Sequence, residues 1–197
     1  MSSTAAPHCA GAPSAWIARF APLVPAGGPV LDLACGGGRH LRFFRERGHP
    51  VTGVDIDLGG VANLRGAPGV ELVAADLENG NPWPLPGERR FAAVVVANYL
   101  HRPLFGALLD VLAPGGVLLY ETFAAGNARF GKPSSPAFLL RPGELLEVAR
   151  DRLQVVAYEH GIVDRPRPAV VQRIAAVNDG TGERMGETAP EPHALPS

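Results

Sequence analysis

The apolar run Val30 to Ala34 breaks directly into Cys35, Gly36, Gly37 and Gly38, and a helical pattern begins at Arg39 and His40. Few folds accommodate that junction. A buried strand has to end, bend within a few residues and restart as a helix. Glycines permit this through positive φ, and the new helix leaves unpaired N–H groups facing whatever lies above the bend. The junction points to an α/β layer structure with a seat for an anionic or nucleotide-like ligand, although taken alone it also fits a plain tight connection.

The rest of the chain extends that pattern, with short β-branched runs alternating with helical stretches, as in a mostly parallel sheet covered by helices on both faces. Strands are predicted over Val30 to Ala34, Val51 to Asp55, Val70 to Ala75, Phe91 to Ala97, Val117 to Thr122, Leu153 to Glu159 and Ala169 to Val177. Helices are predicted over Ser14 to Ala21, Arg39 to Arg47 (closed by Gly48), Leu58 to Leu64, Pro103 to Leu112 and Pro142 to Arg150. The unbroken Val and Ala content of residues 91–97 implies burial on both faces, hence the middle of the sheet. Only eight residues, 161–168, join the last two strands, too few for a parallel crossover, so these strands should be antiparallel. Residues 1–13 and 179–197 are small, polar and rich in Pro and Gly, and are expected to be disordered tails around one domain, 14–178.

Composition narrows the function. Eighteen basic residues nearly balance nineteen acidic ones, so no strong field is available to draw in a nucleic-acid backbone. Cys9 and Cys35 have neither disulfide nor zinc-ligand spacing, so no metal is expected. No apolar run reaches membrane-spanning length and no secretory leader is recognisable, which makes a cytoplasmic protein the expectation, as monomer or homodimer.

Three carboxylates sharpen the picture. Asp32 lies within the first strand, Asp55 ends the second, and Asp76 follows the third with Leu77 beside it. A carboxylate at the second strand tip is placed to accept from both hydroxyls of a ribose. Each acid taken singly also fits a helix N-cap.

The order Asp32, Ala34, Gly36, Gly38, followed by Asp55 and Asp76, resembles the class I S-adenosylmethionine-dependent methyltransferases, whose first strand and turn read roughly [DE]xGxGxG. Ala34 stands where the family has its first glycine. The resemblance covers about residues 14–178. The stretch from Phe138 to Gly161 is similar to the small tellurite-resistance-like and quinone-biosynthesis-type bacterial enzymes. It implies a Rossmann-like seven-stranded sheet in the order 3-2-1-4-5-7-6 with one antiparallel strand. The implied cofactor is S-adenosyl-L-methionine, leaving as S-adenosyl-L-homocysteine, and the implied partner is a small-molecule methyl acceptor. Ala34, Gly36 and Gly38 would line the methionyl tail, Asp32 would meet its ammonium, and Asp55 with Ile56 would take the ribose side. Asp76 and Leu77 would face the adenine, and Asn98 the reactive end.

Methyl transfer needs alignment of nucleophile, carbon and sulfur more than it needs a base. His101 is the candidate base, since imidazole titrates near neutrality, and Tyr99 a candidate shaper of the acceptor pocket. The run Asn98, Tyr99, Leu100, His101 lacks the Asn-Pro-Pro-aromatic signature of amino-group methylation on bases, which makes nucleic acid an unlikely substrate. Residues 123–138 read as a lid, with Arg129, Lys132 and Arg141 as candidate grips for an acidic acceptor. Tyr120, Glu121 and Trp16 fit packing as well as they fit the site. Two other classes stay in view: an NAD(P)-dependent oxidoreductase, which would need glycine at Leu41, and a non-catalytic module that keeps the cofactor fold. RNA methylation would require a basic face.

Overall fold

Alternation along the central strands sends Leu31, Leu33, Val94, Val96, Leu118 and Tyr120 to one face of a sheet, and Val30, Ala93, Val95, Val117 and Leu119 to the other. Both faces are apolar, so both need helices. The computed structural model, which describes residues 11–180 and 192–196, has that arrangement. Strands β1 (Val30–Leu33), β2 (Val51–Asp55), β3 (Val70–Ala74), β4 (Phe91–Ala97), β5 (Leu112–Phe123), β6 (Gln154–Val163) and β7 (Ala169–Val177) form one sheet. Its order is β3-β2-β1-β4-β5-β7-β6, as the family resemblance implies. The first five strands are parallel to one another, and β7 runs antiparallel to both β5 and β6.

Helices α1 (Ala15–Phe20) and α2 (Arg39–Arg45) cover one face, and α3 (Phe105–Asp110) and α4 (Glu144–Ala149) the other. Ser14 starts α1 by accepting Trp16 N at 3.1 Å, and the helix buries Trp16, Ile17 and Phe20. Burial of each such side chain contributes about 1.5–3 kcal/mol, which a helix of this length could not gain from its own hydrogen bonds. Trp16 therefore acts in packing: it is buried and donates from Nε1 to Ile174 O at 3.3 Å.

Several boundaries depart from expectation, each for a local reason. β1 stops at Leu33 because Ala34 takes φ 53°, left-handed backbone that costs an L-residue about 1–2 kcal/mol. The stretch expected as a helix over 58–64 is a 3-10 segment, Gly59–Leu64, opened by two glycines. The helix expected over 103–112 is a 3-10 turn, Arg102–Leu104, followed by α3, because Leu112 already pairs with Phe91. β6 extends to Val163, where its ladder with β7 still holds Val163 opposite Ala169, so the hairpin connection shortens to residues 164–168. Residues 11–13, 179–180 and 192–196 carry no helix or strand; the remaining residues of the expected tails, with Cys9, lie outside the described residues.

The segment expected as a lid is fastened down. Asn127, buried, donates to Pro133 O at 2.9 Å and accepts Val170 N at 3.0 Å. Arg102 donates from Nη1 to Ala137 O at 2.9 Å and from Nη2 to Leu139 O at 2.8 Å. The buried Glu144 carboxylate receives Arg102 Nε at 2.7 Å and Arg141 N at 2.7 Å. Burial alone would raise the Glu144 carboxyl, but these donors hold it below its usual range. Removing the carboxylate strands the Arg102 guanidinium, so Glu144→Ala is expected to lower unfolding free energy by about 3 kcal/mol, read by urea denaturation.

Candidate functional site

The bend between β1 and α2 is held from above by β2. Asp55 accepts Gly36 N on Oδ2 at 2.8 Å and Asp57 N on Oδ1 at 3.0 Å, so one carboxylate fixes both the glycine turn and the loop that follows its own strand. Asp57 in turn accepts Gly59 N at 2.8 Å. The 3-10 segment then seats against the turn: a Cβ on Gly60 would lie 3.0 Å from Gly37 Cα and 3.1 Å from Gly36 O, tighter than side-chain carbons ordinarily sit, so a larger residue there would have to push the turn backbone aside. From below, Arg42 donates to Gly37 O and, at 2.8 Å, to Asn63 Oδ1. The turn is thus clamped on two sides before any ligand arrives.

Three contiguous chambers open at the strand tips. The first, about 690 Å³, is lined by the turn (Ala34, Gly36, Gly37) together with Asp55, Gly60 and Asn98. The second, about 430 Å³, shares Ala34 and Asp55 with it and continues past Ile56, Asp76, Leu77 and Tyr99. Ile56 is 69% exposed, an apolar side chain held at the mouth of a groove. The third, about 660 Å³, meets the first at Asn98 and Arg39 and runs between β5, β7 and residues 11–15. Asn98 sits at that junction with φ 58°, a left-handed position that Asn tolerates better than most residues, and its N–H is held by Glu121 O at 2.9 Å.

Beneath the turn lies a buried polar pair. Asp32 is 2% exposed; its Oδ1 stands 3.9 Å from His40 Nδ1, and its Oδ2 has no hydrogen-bond partner. His40 Nε2 accepts Ser14 N at 3.2 Å, which leaves the ring proton on Nδ1, towards Asp32. Burial, assisted by Arg39, lowers His40 to about 3, so the imidazole is neutral. Burial raises the Asp32 carboxyl to about 7, against the pull of the Leu41 N–H and of Arg39, with Asp55 adding to the rise. Burial likewise pushes the Cys35 thiol up to about 12, which leaves it protonated. Burial, then the neighbouring Glu78 carboxylate, raise the Tyr99 hydroxyl.

The structure gathers Ala34, Gly36, Asp55, Ile56, Asp76, Leu77, Asn98 and Tyr99 along one groove. Asp32 and Gly38 lie outside the linings of all three chambers. Gly38 is required instead by packing, since a Cβ there would collide with Val61 Cγ1. His101 lines none of them; its carbonyl accepts Leu104 N at 3.1 Å, the duty of a residue that starts a helical turn. Arg129 stacks over Phe130, and Arg141 pairs with Glu144 and Glu147, so neither reaches the chambers. The sequence reading missed Gly37, Asp57, Gly60 and Arg39. The spacing Asp57, Gly59, Gly60 directly after β2 was the available signal for two of them.

This architecture, with the ligand groove across the tips of β1, β2, β3 and β4, is that of the class I S-adenosylmethionine-dependent methyltransferases, and S-adenosylmethionine is the cofactor of that class. Residues 30–116 match the methyltransferase domain family. The fold is like that of TehB from Haemophilus influenzae: TM-score 0.65 at 18% identity, over 80% of this chain and 60% of that one. A malonyl-[acyl-carrier protein] O-methyltransferase from Serratia marcescens is 33% identical over 152 residues, 72% of this chain and 57% of that enzyme. A trans-aconitate 2-methyltransferase from Rhizobium leguminosarum is 35% identical over 97 residues, 47% of this chain and 37% of that enzyme. The chain therefore spans little more than half, or less, of these curated relatives. Among the described residues no helix is long and apolar enough to cross a membrane.

The Asp32 shift has a measurable sign. The folded chain holds this proton from the ordinary value of 3.8 up to about 7, so stability falls as pH rises through that window. Asp32→Asn removes the effect. The variant should match the parent near pH 4 and be more stable by about 1–3 kcal/mol at pH 8, read by denaturation at both pH values.

Proposed function

We propose that this chain transfers a methyl group from S-adenosylmethionine to a small-molecule acceptor by in-line displacement. The observation that carries the reading is the continuity of the groove: two strand-tip carboxylates, Asp55 and Asp76, flank the exposed Ile56 and the half-buried Leu77 and lead through Ala34 to a clamped glycine turn. Bound there, S-adenosylmethionine supplies an electrophilic methyl group on a sulfonium. Asp55, already accepting two N–H groups, has lone pairs left for ribose hydroxyls. Ile56 and Leu77 offer apolar surface to the adenine, and Asp76 accepts from its amine. Ala34 and Gly36 let the methionyl tail lie close to the backbone, while Gly38 keeps the turn packed on Val61. The unpartnered Oδ2 of Asp32 suits an ammonium close by, which would draw the carboxyl into its charged form. Asn98 borders the reactive end and Tyr99 the adenine side.

The dinucleotide reading loses ground at Leu41, which is buried in the core where a third turn glycine would be needed. The two curated relatives are named for acceptors of very different size, one carried on a protein and one free, so their names leave the acceptor open. A cytoplasmic setting completes the reading, in keeping with a buried free thiol at Cys35.

Calorimetry tests the cofactor assignment. Asp55→Ala should weaken S-adenosylhomocysteine binding by about 1.5–3 kcal/mol, roughly 10- to 150-fold, and unchanged affinity would remove Asp55 from the site. Because His101 lines no chamber, we assign it no proton transfer. His101→Ala should keep its turnover, well short of the roughly 10²–10⁴-fold loss that removal of a general base brings.

A further inference from the structure

The third chamber differs in charge from the groove it joins. Its lining carries four guanidiniums, of Arg39, Arg165, Arg167 and Arg173, against the single carboxylate of Glu121. Arg173 is already committed. Its Nε lies 3.4 Å from Glu121 Oε2, close enough for an ion pair though not aligned as a hydrogen bond, and its Nη1 donates to Glu159 at 3.2 Å. Arg167 touches a carbonyl, Lys132 O, at 3.4 Å and lies over the Phe123 ring. Arg39, Arg165 and Arg167 form no ion pair with any described residue. Three uncompensated guanidiniums around one concavity, in a chain whose total charge is near zero, form a concentrated anion site. Phe123, Val163, Ala169 and Val171 make part of the wall apolar.

Position gives this site a role. Arg39 and Asn98 line both this chamber and the cofactor groove, so a molecule seated among the arginines reaches the groove at Asn98. Among the described residues no available base waits at that junction. His40 is neutral with Nε2 engaged by Ser14 N, Cys35 is protonated, and Glu121 faces Arg173. An acceptor that must first lose a proton is poorly served, whereas one that enters already anionic needs none removed.

We infer that the Arg39, Arg165 and Arg167 chamber binds a free small organic acid with two or more carboxylates, and that one carboxylate is the methyl acceptor. The inference rests on the methyltransferase reading and names its substrate class. One carboxylate oxygen forms a bond to the methyl carbon as the carbon–sulfur bond breaks and its electron pair stays on sulfur. The products are a methyl ester and neutral S-adenosylhomocysteine, and no proton moves. The remaining carboxylates stay on the guanidiniums, which fixes which oxygen points to the groove.

The test follows S-adenosylhomocysteine release from the full chain over free di- and tricarboxylates, monocarboxylates, amines, phenols, thiols, metalloid oxyanions and an acid tethered to a carrier protein. Free polycarboxylates should be turned over, giving a product that releases methanol in alkali. Arg165→Gln and Arg167→Gln should each raise KM for the acid about tenfold or more with kcat changed far less. Neither should alter the calorimetric affinity for S-adenosylhomocysteine, and Arg129→Gln, outside the chamber, should change nothing. Binding of S-adenosylhomocysteine with turnover of another class only, of the tethered acid only, or of no acid at all, overturns the inference and leaves the cofactor assignment standing. So does an unchanged KM in both variants. Absence of S-adenosylhomocysteine binding is a different failure, that of the methyltransferase reading itself.

Discussion

The site depends on one carboxylate. Asp55 stands at the tip of β2 and receives the Gly36 N–H from the loop after β1 and the Asp57 N–H from the loop after itself. Neighbouring strands in a parallel sheet end side by side but leave their loops free to diverge. Tying both loops to one side chain makes the glycine turn, the Gly59–Leu64 segment and the mouth of the groove a single rigid rim. Hydrogen bonds to an ionised acceptor are about twice as strong as neutral ones, so the rim is set before ligand arrives. Two close approaches reinforce it, Gly60 against the turn backbone and Gly38 against Val61.

The sheet explains why such a rim can exist. β1 and β4 are buried on both faces, so their tips are fixed by the core, and the chain must leave them through short loops on the same side of the sheet. Asp32 shows what the ordering costs. Its parity along β1 matches Val30, so it points towards the α1 and α2 face, where the Leu41 N–H and a neutral His40 face it and one oxygen stays unpaired. An ionisable group left short of partners in a packed interior is a stored electrostatic deficit, and a cationic group nearby is what relieves it.

Much of this was legible in the residues, and the exceptions share a physical cause. The αL closure at Gly48, the glycine bend and the acids at the tips of β2 and β3 all follow from local pattern, since each is written within one element and its next turn, whereas the strand order came only with the family resemblance. Gly38 was legible as a necessary glycine but not for its reason, because Val61, which forbids a Cβ there, lies two elements away. The arginine chamber could not be read at all. Arg39 belongs to the first turn of α2, whereas Arg165, Arg167 and Arg173 come from the last hairpin, and only the placement of β7 beside β5 brings them together. Sequence attention went instead to Arg129 and Arg141 in the long loop, whose partners turn out to be Phe130, Glu144 and Glu147. His101 drew notice as an imidazole just past the tip of β4, and neither residue type nor place in the sequence carries information about side-chain direction.

The most direct test is a crystal structure of the chain with S-adenosylhomocysteine. The account predicts adenine density between Ile56 and Leu77, ribose oxygens on Asp55, and the thioether sulfur near Asn98, facing the arginine chamber. Crystals soaked at saturating ligand that show the groove filled by solvent, or the nucleoside seated elsewhere, would contradict it.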